Sequence, residues 1–346
     1  MLGAVLAASG CDRDAGRREA LRGDALRHDA RGDSTDANRT PALREIVDST
    51  VFVASDSGVK LAGTFSRPLT DSSDSSSPPR WPTVLLLGGS GPQDRDGARA
   101  DLPGYEPLRE FTDSLTQRGL AVLRLDDRGV GGSTGRFAGA TTLDFARDAA
   151  HAVAWLRARA DVDATRIALV GHSEGALVAL LVAARDPAIR SLVLLGAPSR
   201  PGREVARWQR SALVTGDSTS WPPPERAAVL ARADSNAERT AREDPWLRTW
   251  FTLDPRVIAR PVRAAVLLLH GTTDRQVPVL QAEELAAALR DGGATDVSVR
   301  RFPSTDHLLL EDPDGDPRRY ALLTNRHVRG DVVAALGAWL SERLGR

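Results

Sequence analysis

The chain has 346 residues, enough for one large α/β domain or two smaller ones, and 41% of them are apolar, which is typical of a globular protein with a sizeable core. Lys plus Arg and Asp plus Glu balance at 46 each, so the charge does not favour nucleic acid or an acidic surface as a partner. The single cysteine, Cys11, excludes an intramolecular disulfide and a cysteine-based metal cluster.

The N-terminus carries a small apolar stretch, Met1–Gly10, directly before Cys11. This arrangement, over residues 1–11, resembles the end of a bacterial lipoprotein signal, in which a cysteine is lipidated. It departs from that pattern because no Lys or Arg precedes the short apolar run, and Ala8 stands where leucine is usual. We predict an exported protein anchored to the membrane through a lipidated Cys11; a cytosolic protein with an apolar N-terminus is the alternative. No segment approaches the ~20 apolar residues of a membrane span.

Residues 12–45 alternate Arg, Asp, Ala and Gly with little apolar periodicity, which predicts a disordered tether. The folded part is expected to span 46–346 as one α/β domain. Ile46–Ala54 and Val59–Arg67 predict two strands joined by a Ser-Asp-Ser-Gly turn, and hence an antiparallel hairpin. The low-complexity stretch Asp71–Pro79 that follows predicts an exposed loop.

The rest of the chain alternates short apolar strands with helices, which predicts a mostly parallel sheet with helices on both faces. The strands are predicted at Thr83–Leu87, Ala121–Leu125, Ile167–Val170, Ser191–Leu195, Ala264–Leu269 and Val297–Phe302. The helices are predicted at Pro107–Arg118, Leu143–Arg159, Glu174–Ala184 and Val328–Leu344.

Residues 200–260 interrupt this alternation with a polar stretch that contains three consecutive prolines and four tryptophans, namely Trp208, Trp221, Trp246 and Trp250. Helical pieces are predicted at Glu204–Leu213 and Pro224–Ala233. Because ligand sites of open α/β sheets lie beyond the carboxyl ends of the strands, we predict that this insertion is a small helical cap over the substrate pocket. The alternative is a peripheral helical insertion whose tryptophans only pack it against the rest of the domain.

A G-x-S-x-G motif, Gly171-His172-Ser173-Glu174-Gly175, lies between a predicted buried strand and a predicted buried helix. A strand that turns into a helix within five residues forces its central residue into a strained conformation, and the flanking glycines leave room for that turn. The motif alone recurs by chance in many chains. In this strand–turn–helix context it predicts that Ser173 is a nucleophile.

A serine hydroxyl is a poor nucleophile at neutral pH, so it needs a neighbouring base that is held in turn by a carboxylate. The chain offers His28, His151, His172, His270, His307 and His327. His28 lies in the predicted tether, His151 lies inside a predicted helix, and His327 lies near the start of the last helix. His172 is expected to point away from its own serine, and His270 is expected to fix a turn. His307, directly after the final predicted strand, is therefore predicted to be the base.

The carboxylate should follow the preceding strand, where Asp274 ends the stretch LLLHGTTD. The order Ser173, Asp274, His307 is that of one hydrolase architecture and of neither common protease order. Asp306 is adjacent to His307 in the chain, and this backbone connection makes it difficult for its carboxylate to reach the nitrogen of the imidazole ring. Asp254 lies farther away, in the predicted cap. Asp274 is therefore predicted to orient the base.

The tetrahedral intermediate of acyl transfer needs two backbone N–H donors. One is predicted from Glu174, immediately after the nucleophile. The other is predicted from Ser90, in the glycine-rich end of the first parallel strand, with Gly89 or Gly91 as alternatives. A plain tight turn over 88–91 is the simpler interpretation, and a phosphate cradle is another, although no Walker lysine follows.

Two charged clusters, Asp94-Arg95-Asp96 and Asp126-Asp127-Arg128, follow neighbouring predicted strands. They are predicted to be salt-bridged supports of the loops around the pocket. Binding of an anionic substrate group by Arg95 or Arg128 is the alternative.

The motifs DDRGVGGS, GHSEG, LLLHGTTDRQVP and STDHLLL follow one another along the chain, and with them the chain resembles the α/β-hydrolase superfamily from about residue 46 to the C-terminus. GGSGPQDRDG together with DRQVP is most similar to bacterial serine esterases of the dienelactone-hydrolase-like and prolyl-oligopeptidase-like group. The resemblance implies a serine hydrolase that acts on carboxylic esters, often with short acyl chains, and that needs no cofactor. The turn at Gly88 departs from many members, because it begins Gly-Gly instead of His-Gly.

We therefore predict an α/β-hydrolase fold in which Ser173 attacks an ester carbonyl, His307 transfers the proton and Asp274 orients the imidazole. A peptidase or acyl-peptide hydrolase with the same triad is the enzymatic alternative. Two further alternatives are a non-catalytic binding protein with the same fold and halide-assisted peracid chemistry at the same serine. The expected partner is a small-molecule ester, with no cofactor, metal or nucleic acid, and the sequence does not indicate an oligomeric state.

Overall fold

The computed structural model describes residues 44–69, 79–217 and 223–345. The predicted signal at 1–11, nearly all of the predicted tether, most of the predicted loop at 71–79 and Trp221 lie outside this part of the chain. The residues from Arg44 onward cluster into one unit, and the fold below is that of this unit.

Within the described residues, eight strands form one sheet. They are β1 Ile46–Ala54, β2 Lys60–Pro68, β3 Trp81–Leu87, β4 Ala121–Leu125, β5 Val162–His172, β6 Ser191–Leu195, β7 Ala265–Gly271 and β8 Val297–Phe302. Their order across the sheet is β1-β2-β4-β3-β5-β6-β7-β8. β2 is antiparallel to both of its neighbours, and the other neighbouring pairs are parallel. The mostly parallel sheet that the sequence predicts is therefore confirmed.

The same part of the chain contains nine α-helices. They are α1 Pro107–Gln117, α2 Thr142–Arg157, α3 Glu174–Ala183, α4 Gly202–Asp217, α5 Pro223–Glu243, α6 Pro245–Thr252, α7 Pro255–Ala259, α8 Leu280–Asp291 and α9 Gly330–Leu344. Among the helices of the described residues, none has both the length and the apolar character that crossing a bilayer requires.

The hairpin of β1 and β2 forms as predicted, with Ala54 paired to Lys60 at its closed end. β1 lies at the edge of the sheet, and one of its faces is more deeply buried than the other. Val51 and Val53 are buried on the first of these faces, while Phe52 between them is 49% exposed. This alternation is typical of a strand that is covered on one side, and it explains why β1 is less apolar than the central strands.

Alternate residues of the parallel strands belong to two cores, one on each face of the sheet. Val84 of β3 belongs to a buried cluster that includes Phe111 of α1 and Leu336 of α9. Leu85, the next residue along β3, lines a cavity together with Val178 of α3. Helices therefore cover both faces of the sheet, and the central strands are continuous apolar runs for that reason.

The helices between β6 and β8 are more extensive than the sequence predicts. α5 is longer than the predicted piece Pro224–Ala233, and the predicted elements lack α6, α7 and α8. α6 and α7 each begin with a proline behind an aspartate N-cap; Asp244 accepts from the N–H of Leu247 at 3.1 Å, and Asp254 accepts from the N–H of Arg256 at 3.0 Å. An Asp-Pro pair is a helix start signal, so the sequence contained the information for two of these helices.

Candidate active site

The turn between β5 and α3 consists of Ser173 alone, at φ 54° and ψ −115°. L-residues rarely adopt this backbone conformation, and it is kept only where the surroundings enforce it. Close packing makes the flanking glycines necessary, since a Cβ on Gly171 would overlap the carbonyl of Gly175, and a Cβ on Gly175 would overlap the carbonyl of Gly88. The strained strand–turn–helix that the motif predicts is therefore present.

The structure brings the three predicted residues of the triad together, although each follows a different strand. His307 Nε2 lies 3.0 Å from Ser173 Oγ, and His307 Nδ1 lies 2.7 Å from Asp274 Oδ2. His307 is 5% exposed and Asp274 is 6% exposed. A nucleophile bonded to a base that is bonded in turn to a buried carboxylate is the arrangement that serine acyl-transfer chemistry requires.

The charge of Asp274 follows from its partners. Burial alone would raise the pKa of this carboxyl, but the neighbouring His307 and hydrogen bonds from His270 and His307 hold its pKa well below the usual range. Its Oδ1 accepts from the N–H groups of Gln276 and Val277, both at 2.8 Å. An ionised Asp274 can only accept, so His307 Nδ1 carries a proton and Nε2 is free to accept the proton of the serine.

The two rival carboxylates have other partners. Asp306 Oδ1 accepts from the N–H of Leu310 at 2.9 Å, within its own loop, and burial raises the pKa of Asp306 to about 7. Asp254 caps α7. Among the contacts of the described residues, neither carboxylate is bonded to His307.

Two further histidines surround the triad. His270 Nε2 donates to the carbonyl of Val277 at 2.9 Å and also lies 3.3 Å from Asp274 Oδ2, so it fixes the turn after β7 as predicted. His172 lies beside the base, because its ring is 5.0 Å from the ring of His307 and its Nε2 donates to the His307 carbonyl at 2.8 Å, while its direction away from Ser173 stays a prediction. Burial lowers the pKa of His172 to about 3, so the ring stays neutral and places no second positive charge beside the base.

The predicted oxyanion donors, Ser90 and Glu174, belong to segments that meet at the nucleophile. Glu174 is the first residue of α3, where a backbone N–H has no intrahelical acceptor. The loop 88–91 lies against the same turn, since a Cβ on Gly89 would be 3.5 Å from the Cβ of Ser173. Donation by these two amides to an oxyanion stays a prediction.

The charged clusters hold loops at the same edge of the sheet. Arg95 donates from Nε and Nη2 to the two oxygens of Asp126 at 2.9 and 2.7 Å. Arg128 makes the same paired contact with Asp148 at 2.8 and 2.7 Å. Both guanidinium groups are engaged, so these contacts fit the predicted role as loop supports, and binding of an anionic substrate group would require one pair to break.

Asp126→Ala is expected to lower the free energy of unfolding by about 3 kcal/mol, because Arg95 would lose its buried counter-charge and the N–H of Gly132 would lose an acceptor. Urea unfolding measures this change. Asp101→Ala is the control, since its carboxylate is 70% exposed and pairs with Arg99, and a loss below about 1 kcal/mol is expected. Equal losses would contradict the supporting role.

The pairing of Asp126 with Arg95 also makes the stability of the fold depend on pH. Burial opposes ionisation of Asp126, but the hydrogen bonds from Arg95 and Gly132 outweigh it and lower the carboxyl pKa below that of the unfolded chain. The contribution of Asp126 to stability is therefore present above about pH 4 and is lost as the pH falls through the folded-state pKa. The stability difference between Asp126→Ala and the unsubstituted chain should shrink accordingly in acid.

Two helices of the insertion, α4 and α6, contact loops on either side of the triad. Trp208 Nε1 and Gln209 Nε2 donate to the carbonyls of Arg275 and Gln276, at 3.2 and 3.1 Å, in the loop that holds the acid. Trp246 Nε1 donates to Glu174 Oε1 at 2.8 Å, beside the nucleophile. Two of the tryptophans thus bond the loops of the site, which favours the cap interpretation over a peripheral insertion.

Sequence reasoning missed two side-chain partners of Glu174, namely Trp246 and Thr142. These residues lie 72 and 32 positions away from it along the chain. No periodicity or motif connects such positions, because the contact depends on how the insertion folds back onto the sheet.

Comparison with known proteins agrees with this architecture. A sequence profile of the family described as serine aminopeptidase, S33, matches residues 105–314, which is more than half of the chain. Esterase EstD of Thermotoga maritima is 25% identical over 265 residues, which are 75% of this chain and 62% of EstD. The chain thus spans less than two thirds of that relative.

Solved structures of the same fold include esterases. An esterase of Pyrococcus furiosus superposes with a TM-score of 0.58 at 18% identity, covering 90% of this chain and 96% of that chain. A dienelactone hydrolase-like protein of Klebsiella pneumoniae superposes with a TM-score of 0.52 at 15% identity, covering 87% of this chain and 99% of the other. The predicted α/β-hydrolase fold and the resemblance to that superfamily are confirmed.

Proposed function

We propose that this chain, which belongs to the serine aminopeptidase S33 family, is a serine hydrolase that cleaves carboxylic esters with short acyl chains. The observation that carries the proposal is the hydrogen-bonded series from Ser173 through His307 to Asp274, with separations of 3.0 and 2.7 Å. The esterase relative EstD supports the choice of ester over amide. Export and membrane attachment through a lipidated Cys11 belong to the proposal on sequence grounds alone.

The reaction begins when Ser173 Oγ attacks the carbonyl carbon and His307 Nε2 accepts the hydroxyl proton. The carbonyl oxygen becomes an oxyanion, which the backbone N–H groups of Ser90 and Glu174 stabilise. The C–O bond to the leaving group then breaks, and the departing alkoxide takes the proton from His307. Ser173 is left as an acyl-enzyme. Water attacks this ester with His307 again as base, and the acid product leaves as the serine regains its proton.

The electrostatics of the site support this sequence of steps. Protonated His307 is an imidazolium, which the ionised Asp274 stabilises at 2.7 Å. The neutral ring of His172 bonds the backbone of His307 and adds no repulsion when that charge develops. Stabilisation of charge that appears only in the transition state lowers the barrier without tightening ground-state binding.

An aminopeptidase is the second candidate, and the description of the family favours it. An ionised carboxylate with a free oxygen near the nucleophile is the strongest partner for a free α-amino group. The carboxyl of Glu174 lies there, but its Oε1 already accepts from Thr142 and Trp246, and burial raises its pKa. In the cap, Glu238 and Asp234 pair with arginines. These pairings favour the esterase.

A substrate panel tests the proposal. p-Nitrophenyl esters from acetate to decanoate should be hydrolysed with kcat/KM highest for acetate or butyrate, and aminoacyl p-nitroanilides should be turned over at least about 100-fold more slowly. Steady-state release of p-nitrophenol and p-nitroaniline gives both values. Preference for an aminoacyl anilide over every ester would replace the esterase with the aminopeptidase. Turnover of neither class would contradict the esterase proposal.

A further inference from the structure

The cap contacts the nucleophile turn through a hydrogen bond from Trp246 to Glu174, which takes no part in the chemical steps described above. Glu174 is 4% exposed as a residue, and its carboxyl Oε1 accepts from Trp246 Nε1 at 2.8 Å and from Thr142 Oγ1 at 2.6 Å. The two donors come from α6 of the cap and from the start of α2 in the core. Two bonds to one buried oxygen fix the carboxyl in a single orientation.

Trp246 is itself held in place by the cap. Its ring stacks on Trp250, with ring centres 5.5 Å apart and planes 8° apart. Trp250 is 3% exposed and lies so close to Gly202 of α4 that any Cβ there would overlap the indole. The position of the Trp246 N–H therefore follows the packing of α4 against α6.

Glu174, which accepts the hydrogen bond from Trp246, is also a predicted oxyanion donor through its backbone N–H. The backbone N–H of Glu174 opens α3 and follows Ser173 directly. This N–H lies in the Ser173–Glu174 peptide plane, which is bonded to the Glu174 Cα, so a bond that anchors the Glu174 side chain also holds the Cα and limits tilting of that plane. A donor that is misaligned by a fraction of an ångström stabilises an oxyanion poorly.

We infer that Trp246 is a positioning residue, which acts through the Glu174 carboxyl to aim the Glu174 N–H at the oxyanion and so makes the assembled cap a requirement for full catalysis. This inference rests on the proposed function. It assigns the cap a role in transition-state stabilisation in addition to any role in shaping the pocket.

Trp246→Phe tests the inference, because phenylalanine keeps an aromatic ring for stacking on Trp250 and removes the N–H. We expect kcat for p-nitrophenyl acetate to fall about tenfold with KM changed less than about twofold, a fraction of the 100- to 1000-fold that loss of a whole oxyanion donor costs. A trifluoromethyl ketone that forms a hemiketal oxyanion with Ser173 should bind about tenfold more weakly. The corresponding secondary alcohol, which forms no oxyanion, should bind as it does to the unsubstituted enzyme.

Trp339→Phe is the matched control. Trp339 is 6% exposed in α9, and its Nε1 is buried with no hydrogen-bond partner, so the same substitution removes packing but no bond. It should leave kcat and ketone binding unchanged at a temperature where both variants are folded. Equal weakening of ketone and alcohol by Trp246→Phe, or an unchanged kcat, would overturn the inference.

Glu174→Ala keeps Trp246 and so provides a second route if Trp246→Phe folds poorly; it should by itself lower kcat for p-nitrophenyl acetate about tenfold with KM nearly unchanged, and an unchanged kcat would overturn the inference. Alanine keeps the backbone N–H and removes the acceptor, so Trp246→Phe added to Glu174→Ala should cause no further loss in kcat. Additive losses in the double variant would show that Trp246 acts elsewhere and would overturn the inference.

Labelling by a fluorophosphonate separates this inference from the proposed function, since the reagent reports on Ser173 without any ester substrate. If the unsubstituted chain is labelled but hydrolyses no ester, the esterase proposal fails, and an approximately tenfold slower labelling of Trp246→Phe still supports the positioning role. Equal labelling rates would overturn it. A chain that is neither labelled nor active would overturn both.

Discussion

Ser173→Ala is expected to lower kcat for p-nitrophenyl acetate by about 10⁴-fold or more. His307 Nε2 would then have no hydroxyl to deprotonate at 3.0 Å, and the acyl-enzyme could not form. The fold should survive, because the backbone N–H at this position still donates to the Leu195 carbonyl at 2.8 Å. Steady-state kinetics and a thermal unfolding curve of the same preparation measure both effects.

The control for this variant is Ser49→Ala, an exposed serine on β1 far along the sheet from the triad. It should retain full activity and full fluorophosphonate labelling. Labelling of Ser173→Ala at any other serine, located by mass spectrometry of its peptides, would identify a different nucleophile. Retained turnover by a folded Ser173→Ala would end the triad assignment.

The strands could be predicted because buried parallel strands are unbroken apolar runs. Ala121–Leu125, Ser191–Leu195 and Val297–Phe302 have the predicted bounds. β5 begins earlier than its apolar run, at Val162, which pairs with Trp81 of β3. Backbone hydrogen bonds define that extension, and they do not depend on side-chain polarity, so an apolar run cannot show where such a strand begins.

The members of the candidate triad could be chosen from the sequence because strand ends of a parallel sheet meet at one edge. Three residues that follow β5, β7 and β8 can therefore be brought together without any knowledge of loop conformation. The bond from Trp246 to Glu174 and the bond from His172 to the His307 carbonyl could not be predicted in this way. They depend on the conformation of loops and the cap, where no periodic pattern constrains side-chain direction.

Asp274→Asn is expected to lower kcat about 10⁴-fold near pH 7 with little change in KM. The N–H groups of Gln276 and Val277 point at Oδ1, so the amide oxygen of asparagine should take that place and its NH₂ should face His307 Nδ1. The imidazole would then accept at Nδ1 and carry its proton on Nε2. A ring in that tautomer donates to Ser173 and cannot deprotonate it.

Asp306→Asn is the matched comparison, since this carboxyl adjoins the base but bonds the N–H of Leu310. Burial raises the pKa of Asp306 to about 7, so at pH 6 the residue is mostly protonated and asparagine has nearly its shape and charge. We expect kcat at pH 6 within about threefold of the unsubstituted enzyme.

Stability gives an independent check on the same pair of variants. Between about pH 4 and pH 7 the folded chain keeps the Asp306 proton that the unfolded chain has lost, so this residue makes stability decline as the pH rises through that window. Asp306→Asn should remove the decline, whereas the low pKa of Asp274 gives the opposite slope, confined to acid. The two neighbouring acids are thus distinguished by opposite pH dependences of stability and by kinetic losses that differ by about three orders of magnitude. If Asp306→Asn inactivates and Asp274→Asn does not, the acid of the triad is Asp306.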